Sequence, residues 1–256
     1  MIVLCTEENF DDFKKACLKD SIYGAMNYSR HTCYSHLPHL ALFWIVFDGS
    51  EPVGTVSNVM GDGIVSCIKQ DCTEEISHLV CTVGISSLLG DSCIVKNINS
   101  VFGGSVYSAP TMVCNSGCLS PDVHKYTGRW RTLYDFICKG YPYFAAHSNY
   151  DDWLSSLTMR VNRGTASVYT IQNGDEILAC GIIGFKGEKS GEIGSIVTAP
   201  EARGKGYGKK ITRHLAAVLE SENRTAFLHL AENSLVPFYE SAGFSVCGEW
   251  GSISTQ

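Results

Sequence analysis

Three glycines and several basic residues are crowded into residues 197–210. Gly204, Gly206 and Gly208 alternate with other residues, and glycines at this density let the backbone turn its N–H groups into one concavity. The segment joins a predicted strand to a predicted helix, so the concavity lies at a helix N-terminus, where the macrodipole is positive. Five basic residues lie within eleven positions, namely Arg203, Lys205, Lys209, Lys210 and Arg213. Together these features predict a site for a phosphate or pyrophosphate.

The spacing of the glycines excludes two common phosphate loops. A Walker loop needs Gly-x4-Gly-Lys-Ser/Thr, but the pair Gly204-Lys205 has neither the earlier glycine nor the following hydroxyl. A dinucleotide-binding loop needs Gly-x-Gly-x-x-Gly, whereas this chain has Gly-x-Gly-x-Gly and no parallel βαβ repeat around it. The glycine spacing therefore favours a phosphate ligand bound in some other way than in these two loops.

The same segment resembles the acyl-CoA loop of the GNAT superfamily of N-acetyltransferases, Arg/Gln-x-x-Gly-x-Gly/Ala. Arg203, Gly206 and Gly208 occupy its defining positions. Residues 192–197 resemble the central strand of that family, and residues 238–244, Phe-Tyr-Glu-Ser-Ala-Gly-Phe, resemble its last block, Phe/Leu-Tyr-x3-Gly-Phe. The resemblance covers about residues 130–256.

This resemblance implies direct transfer of an acetyl group from acetyl-CoA to an amine, with no metal. It also implies which residues bind CoA. Asn233 is included although it precedes Tyr239 by six residues rather than the seven frequent in the family. The implied CoA-binding residues are Ile196, Val197, Thr198, Arg203, Gly204, Lys205, Gly206, Tyr207, Gly208, Lys209 and Asn233, with a backbone N–H near Ile196–Val197 stabilising the oxyanion.

Three side chains are candidates for proton transfer. A protonated amine cannot attack a thioester, so a base must remove its proton, directly or through water. Glu192 occupies the family position often used for this base; alternatively it is a solvated glutamate at the start of a strand. His229 is the other candidate base, or else a histidine of the core. Tyr239 stands where the family places the acid that protonates the leaving thiolate, and its alternative role is packing against Phe238.

The chain repeats one order of elements: a hairpin, a strand, a helix, a strand, Asn-Ser and a final strand. Asp48-Gly49 and Asn173-Gly174 are the two hairpin turns. In the first half the pattern predicts a helix over Thr73–Leu89 and a strand over Cys93–Asn97. We therefore expect a mixed α/β (α+β) chain of two tandem GNAT-like domains, each with a mostly antiparallel mixed sheet flanked by helices: residues 1–118, a linker at 119–129, and a catalytic domain at 130–256.

The first half matches the family plan only in outline. Gln70 to Glu75 replaces the glycine loop, and the carboxylates of Asp71, Glu74 and Glu75 would repel a pyrophosphate. No Tyr-x3-Gly-Phe block follows Asn99. We therefore expect a degenerate first half and one CoA site per chain.

Composition narrows the remaining possibilities. The chain has 256 residues, of which 45% are hydrophobic and 18% charged, which excludes general disorder. A net charge of −6 argues against nucleic-acid binding. The most apolar run is too short to span a membrane, and the N-terminus does not look like a signal peptide. Twelve cysteines at irregular spacings indicate reduced thiols rather than disulfides or zinc, which favours a cytoplasmic protein.

The sequence leaves the acceptor open. We expect a small-molecule or amino-acid-like amine, and the oligomeric state is not predicted. The aromatic segment at 141–144, with His147 and Tyr150, either lines the acceptor site or packs helices together. The alternative function is a non-catalytic acyl-CoA sensor on the same fold, and a longer acyl donor is also open.

Overall fold

The computed structural model describes residues 1–102 and 104–254. Within these ranges twelve strands form one mixed sheet in the order β1-β2-β3-β4-β5-β12-β6-β11-β10-β9-β8-β7, with helices packed on it. The elements of the first half are β1 (Ile2–Leu4), α1 (Phe10–Lys19), α2 (Tyr23–Tyr34), β2 (Ala41–Asp48), β3 (Glu51–Val59), β4 (Asp62–Cys67), α3 (Thr73–Thr82), β5 (Ser87–Asp91), α4 (Ser92–Phe102) and β6 (Val106–Cys114).

The second half repeats this succession with additions. Its elements are β7 (His124–Lys125), α5 (Trp130–Gly140), α6 (Pro142–His147), α7 (Tyr150–Asn162), β8 (Ser167–Asn173), β9 (Glu176–Lys186), β10 (Ser190–Thr198), α8 (Tyr207–Ser221), β11 (Thr225–His229), α9 (Val236–Ser241) and β12 (Ser245–Ser254). Short 3-10 turns lie at Gln70–Cys72, Pro200–Ala202 and Asn233–Leu235. This architecture confirms the predicted mixed α/β fold class.

Both predicted hairpin turns are present. Gly49 joins β2 to β3 and Gly174 joins β8 to β9, and each has a φ of 59°. A side chain is disfavoured in that left-handed conformation, so glycine at these two positions determines where each hairpin turns.

Two predictions for the first half are wrong. The helix expected over Thr73–Leu89 ends at Thr82, and its last residues belong to β5. Gly84, with a φ of 68°, follows the end of this helix. The segment Cys93–Asn97, expected to be a strand, lies in helix α4 instead. Ile94, Val95 and Ile98 are buried there at spacings of one turn, so their apolar run reflects one helix face rather than a buried strand.

The parallel pairing of strands is the same in the two halves. Residues Asp62–Ile64 of β4 pair with Ser87–Leu89 of β5, and Ser190–Glu192 of β10 pair with Thr225–Phe227 of β11. Each parallel ladder is three residues long, and the preceding strand is antiparallel in both cases. The register therefore gives every position near the β10–β11 ladder a counterpart in the first half.

The last strand of each half lies on the other half's side of the sheet. β12 pairs with β5 of the first half, while β6 pairs with β11 of the second half. β6 and β12 also pair with each other. The two halves thus exchange their terminal strands and share one continuous sheet.

The segment predicted as a linker, 119–129, packs on the second half. His124 and Lys125 pair with Thr170 and Tyr169 of β8, and Val123 and Tyr126 are buried. The domain boundaries placed there remain a prediction.

The core that supports the glycine segment lies between α8 and the sheet. Ile211, Leu215 and Leu219 of α8 are completely buried against Ile183 and Ile193 of β9 and β10. Because this face of α8 is fixed by burial, its first turn is held rigidly at the carboxyl end of β10.

Candidate active site

β10 carries a bulge close to its carboxyl end. Gly194 pairs with Ile182 and Val197 pairs with Cys180, so three steps along β10 oppose two steps along β9. Ser195, inside the bulge, has a φ of 50°, and its carbonyl accepts a hydrogen bond from the Cys180 thiol at 3.5 Å. A bulge leaves part of the backbone outside the ladder, which is the arrangement that an oxyanion site near Ile196–Val197 would need.

β10 and β11 separate from each other next to this bulge. Their parallel ladder ends at Glu192 and Phe227, although β10 continues to Thr198 and β11 to His229. The unpaired ends of the two strands therefore flank a gap in the sheet, with the bulge on one side and the strand bearing His229 on the other.

The glycine segment has the geometry that its sequence predicts. Gly204 and Gly206 have φ values of 76° and 80°, and Gly206 is the N-cap of α8. Among the described residues, the backbone N–H groups of residues 204–209 donate no hydrogen bond. Unpaired N–H groups at the start of a fifteen-residue helix form an anion site.

Gly208 brings three elements close together. A Cβ at this position would lie 3.2 Å from Oγ1 of Thr198 and 3.3 Å from the ring of Phe238. The first turn of α8 therefore lies close to both the end of β10 and α9, and a side chain at position 208 would force these neighbours to shift. The residues present fit the pyrophosphate of CoA because the backbone N–H groups of residues 204–209 are unpaired and the space beside Gly204 and Gly206 is open.

The basic side chains of the segment have different surroundings. Arg203 donates from Nη2 to the carbonyl of Gly140 at 3.0 Å, which ties the loop to the end of α5. Lys210 forms an ion pair with Asp122 at 2.5 Å. Lys205 and Lys209 make no ion pair among the described residues. Of the lysines, these two are therefore the ones available to a phosphate, and Arg203 has a supporting contact that the sequence did not reveal.

Tyr239 lies on α9, in the last block of the motif. Its ring meets the rings of Phe238 and Phe244 edge-on, with centroids 4.9 Å and 6.1 Å away. Burial raises the pKa of its phenol to about 12, and within the described ranges the hydroxyl has no hydrogen-bond partner. A phenol in this state keeps its proton at neutral pH and can donate it. Asn233 is exposed in the 3-10 turn just before α9.

The structure brings the two candidate bases together. Nδ1 of His229 lies 3.4 Å from Oε1 of Glu192, at the point where β10 and β11 separate. The Glu192 side chain is 20% exposed and that of His229 only 8%. Nε2 of His229 is buried with no hydrogen-bond partner in the described residues. Glu192 is therefore the member of the pair that an acceptor can reach.

An aromatic enclosure surrounds His229, and the sequence did not predict it. Tyr23 of α2 stacks on the imidazole at 5.6 Å, Trp250 of β12 lies 5.8 Å away, and Phe227 meets it edge-on at 5.7 Å. Trp250 is fixed by a hydrogen bond from Nε1 to the carbonyl of Leu230, at 2.8 Å. No periodicity links Tyr23 to His229, because the contact depends on how the first half packs against the second.

The aromatic segment at 141–144 divides between the two expected roles. Phe144 and Tyr150 pack against Tyr134, with ring centroids 5.7 Å and 5.2 Å away. Tyr141 and Tyr143, in contrast, are 38% and 64% exposed. Helix packing thus accounts for Phe144 and Tyr150, while the two exposed tyrosines remain candidates for contact with an acceptor.

Comparison with known protein families finds a match in the second half of the chain. Residues 130–244 match the sequence model of the acetyltransferase (GNAT) family, whose members are N-acetyltransferases. The match includes Glu192, the glycine segment and Tyr239. No curated protein sequence matches the chain.

Solved structures extend the likeness to the whole chain. A tandem GNAT protein from the clavulanic acid biosynthesis pathway aligns over 100% of this chain and 98% of its own, at 11% identity and a TM-score of 0.56. A Drosophila protein aligns over 98% of both chains, at 12% identity and a TM-score of 0.62. A GCN5-related N-acetyltransferase from Sphaerobacter thermophilus covers 98% of this chain and 94% of its own, at 12% identity and a TM-score of 0.53. At these identities the likeness establishes the fold.

The described part of the chain has neither a candidate metal site nor a candidate membrane-spanning helix. No group of three or more His, Cys, Asp or Glu residues that could hold a metal ion occurs in residues 1–102 and 104–254. No helix in the same ranges has the length and apolar composition needed to cross a membrane. All twelve cysteines are free thiols.

Proposed function

We propose that this chain is an acetyl-CoA-dependent N-acetyltransferase that acts on the amine of a small or amino-acid-like molecule. One observation carries the proposal: the free N–H groups of residues 204–209 lie at the start of α8, beside the gap between β10 and β11, where Glu192 and His229 are in contact. A pyrophosphate bound to these N–H groups and a base at Glu192 would therefore lie in one region of the second half. The match at residues 130–244 supports this reading.

The residues proposed to hold CoA fall into two groups. Gly204 to Lys209 supply backbone N–H groups, and the lysines at 205 and 209 add positive charge to the pyrophosphate site. Ile196 to Thr198 lie along the gap, where an acyl group reaches the bulge. When bound, CoA supplies the acyl thioester that the amine attacks.

The chain's own residues then handle protons and orientation. Glu192 takes the proton from the amine, directly or through a water molecule, because it is the exposed member of its pair. His229, almost buried behind it, holds the carboxylate in place. Tyr239 gives its phenolic proton to the departing sulfur, which the high pKa of the phenol permits.

The first half is proposed to provide support rather than a second site. At the register position of Glu192 it has Ile64, which is buried and cannot act as a base. Asp91 of β5 stands at the position that His229 has on β11. The first turn of α3 contains Glu74 and Glu75 where α8 has glycine and lysine. The cytoplasmic location stays a prediction from the sequence.

The test is to incubate the full chain with acetyl-CoA and a panel of amines and to measure the release of free CoA thiol. Calorimetry with CoA runs in parallel. Binding together with turnover of at least one amine supports the proposal. Binding without turnover of any amine favours the acyl-CoA sensor, while absence of CoA binding rejects both. A parallel series with longer acyl-CoA donors identifies the donor.

A further inference from the structure

Two arginines from different halves of the chain belong to the surroundings of Glu192: Arg160 lies with it beside Gly184, and Arg30 interacts electrostatically with both. Arg30 lies on α2 of the first half and Arg160 on α7 of the second half. Both are partly exposed. In the described residues no carboxylate oxygen lies within 4 Å of either guanidinium. Like charges that act on each other at short range are unfavourable unless an anion lies between them.

Arg30 is held in place by a buried polar network. Its Nη1 donates to Oγ of Ser57 at 3.2 Å and to the carbonyl of Asp62 at 2.9 Å. Ser57 in turn donates to Oδ1 of Asn27 at 2.7 Å, and Asn27 donates from Nδ2 to Oγ1 of Thr55 at 2.8 Å. Asn27, Ser57 and Thr55 are completely buried. This network fixes one nitrogen of the guanidinium and leaves the others free.

Arg160 is fixed in a similar way and stands next to Glu192. Nη1 donates to the carbonyl of Gly184 at 2.9 Å, and the guanidinium lies 5.2 Å from the centre of the Phe185 ring. A Cβ placed on Gly184 would lie 2.9 Å from Oε2 of Glu192 and 3.7 Å from Nη1 of Arg160. Glycine at position 184 therefore leaves room for the carboxylate of Glu192, and the guanidinium of Arg160 lies beside the same residue of β9.

The charges that act on Arg30 include the guanidinium of Arg160. Burial above all, together with repulsion from Arg160, lowers the pKa of Arg30 to about 10, although Asp62 and Glu192 oppose this effect. Asp62 is already engaged, because its Oδ1 accepts a hydrogen bond from Ser87 at 2.6 Å. An additional anion between the arginines would relieve the repulsion and use the free nitrogens.

We propose that Arg30 and Arg160 form a subsite for the carboxylate of the acceptor, so that the acceptor is an α-amino acid or a closely similar amine. The inference rests on the proposed function. Glu192 serves the amine, and the guanidiniums beside it hold the carboxylate by charge-assisted hydrogen bonds. In an α-amino acid the two groups share one carbon, which suits a carboxylate and a guanidinium, those of Glu192 and Arg160, that both lie next to Gly184. The first half thereby contributes a specificity-determining residue, Arg30, to the second half's reaction.

The experiment compares matched acceptors with the full chain. Each common α-amino acid is assayed with acetyl-CoA beside its carboxamide and its decarboxylated amine. We expect kcat/KM for the preferred amino acid to exceed that for its carboxamide by about 10-fold or more, the usual scale for a charged hydrogen bond. Arg30→Gln and Arg160→Gln should each raise its KM by a similar factor with little change in kcat. Arg131→Gln, a surface arginine paired with Asp135, is the control.

The other possible outcomes distinguish failure of the carboxylate subsite from failure of the proposed function. Equal use of acids and carboxamides, or a KM unchanged in both arginine variants, overturns the carboxylate subsite while acetyl transfer to amines stands. If the wild-type chain does not bind CoA, the proposed function itself is wrong. If no panel member accepts an acetyl group, thermal unfolding of the CoA complex decides: a carboxylate must raise the melting temperature of the wild type but not of Arg30→Gln. No such rise for any amino acid overturns the subsite.

Discussion

The ring of Tyr23, from the first half, stacks on the ring of His229, from the second, with centroids 5.6 Å apart and planes 15° apart. Tyr23 is 5% exposed and belongs to the apolar cluster that contains Phe227. The imidazole is thus held on one side by α2 and on another by Trp250 of β12. The orientation of the Glu192–His229 pair therefore depends on a helix outside the residues that match the acetyltransferase family.

Replacing Tyr23 tests this dependence. Tyr23→Phe retains the stacking surface, and we expect kcat to stay within about a factor of two. Tyr23→Ala lets the imidazole turn, and we expect kcat to fall by up to about 100-fold, the scale that misplacement of a catalytic group can reach. Steady-state kinetics against pH and calorimetry with CoA measure both effects, and the CoA affinity should not change.

Tyr28→Ala is the matched control for Tyr23→Ala. Tyr28 lies on the same helix and is also partly buried, but it packs in the cluster around Phe13 rather than against His229. If the two alanine variants lower kcat equally, the effect comes from α2 as a whole and the positioning role of Tyr23 is wrong.

The backbone of the glycine segment should be essential for CoA binding. Gly206→Val forces a branched side chain into a φ of 80°, at a conformational cost of roughly 1–2 kcal/mol, and it obstructs the N–H groups. We expect the Kd for CoA to rise by at least about 10-fold. Gly174→Val imposes similar strain in the β8–β9 hairpin, far along the chain from α8. It should lower the melting temperature similarly and leave the Kd unchanged; equal Kd values for the two variants would remove the phosphate assignment.

Arg203 should contribute less to the affinity for CoA than the glycines of its segment do. Its guanidinium is engaged with the carbonyl of Gly140, so Arg203→Ala removes a link between the loop and α5 while the backbone donors remain. We expect a rise in Kd smaller than that of Gly206→Val, together with a lower melting temperature. A loss of affinity as large as that of Gly206→Val would show that Arg203 itself binds the phosphates.

Tyr239→Phe should lower kcat by about 100-fold, a usual scale for loss of general acid catalysis, with the CoA affinity nearly unchanged. Because burial raises the pKa of this phenol to about 12, the acid stays protonated as the pH rises through 10. The alkaline limb of the rate profile below that pH should therefore be the same in the wild type and in the variant. Tyr169→Phe, another partly buried tyrosine on β8, serves as the control. A kcat within a factor of two of the wild type would return Tyr239 to a packing role.

The full chain should bind one CoA. In the first half, Glu74 and Glu75 occupy the first turn of α3, and Glu75 is 2.7 Å from the N-terminal amine. A carboxylate 4–6 Å from a phosphate opposes it by roughly 3–4 kcal/mol at an effective dielectric constant near 20, before salt screening. Calorimetric titration gives the stoichiometry, and Gly206→Val should weaken the binding of all the CoA that the chain takes up. A stoichiometry near two, or a half-sized signal in that variant, would show a second site in the first half.

Much of the site was predictable because it is local in sequence. The hairpin turns at Gly49 and Gly174, the glycine loop and the helix after it follow from short spacings that constrain φ or create an amphipathic face. The segment Cys93–Asn97 was assigned wrongly because a short apolar run is compatible with either a strand or a helix, and only packing distinguishes them.

The remaining features depend on contacts between distant segments. The contact of His229 with Glu192 depends on the β10–β11 register, and the stacking of Tyr23 depends on how α2 lies across the sheet. Arg30 and Arg160 are 130 positions apart in the numbering and carry no pattern that links them. No short stretch of the sequence predicts any of these contacts, because each of them results from burial and from the order of the strands in the sheet.

The exchange of β6 and β12 also limits how the molecule can move. Two domains joined only by a linker can swing apart about a hinge, but here such a swing would break the β5–β12 and β6–β11 ladders together. The contact region between the halves, to which Tyr23 and Arg30 of α2 belong, should therefore keep nearly the same geometry during turnover. Acceptors would enter and products leave through displacement of short surface elements such as α6, with its exposed tyrosines, so the rate of release would depend on those elements rather than on domain opening.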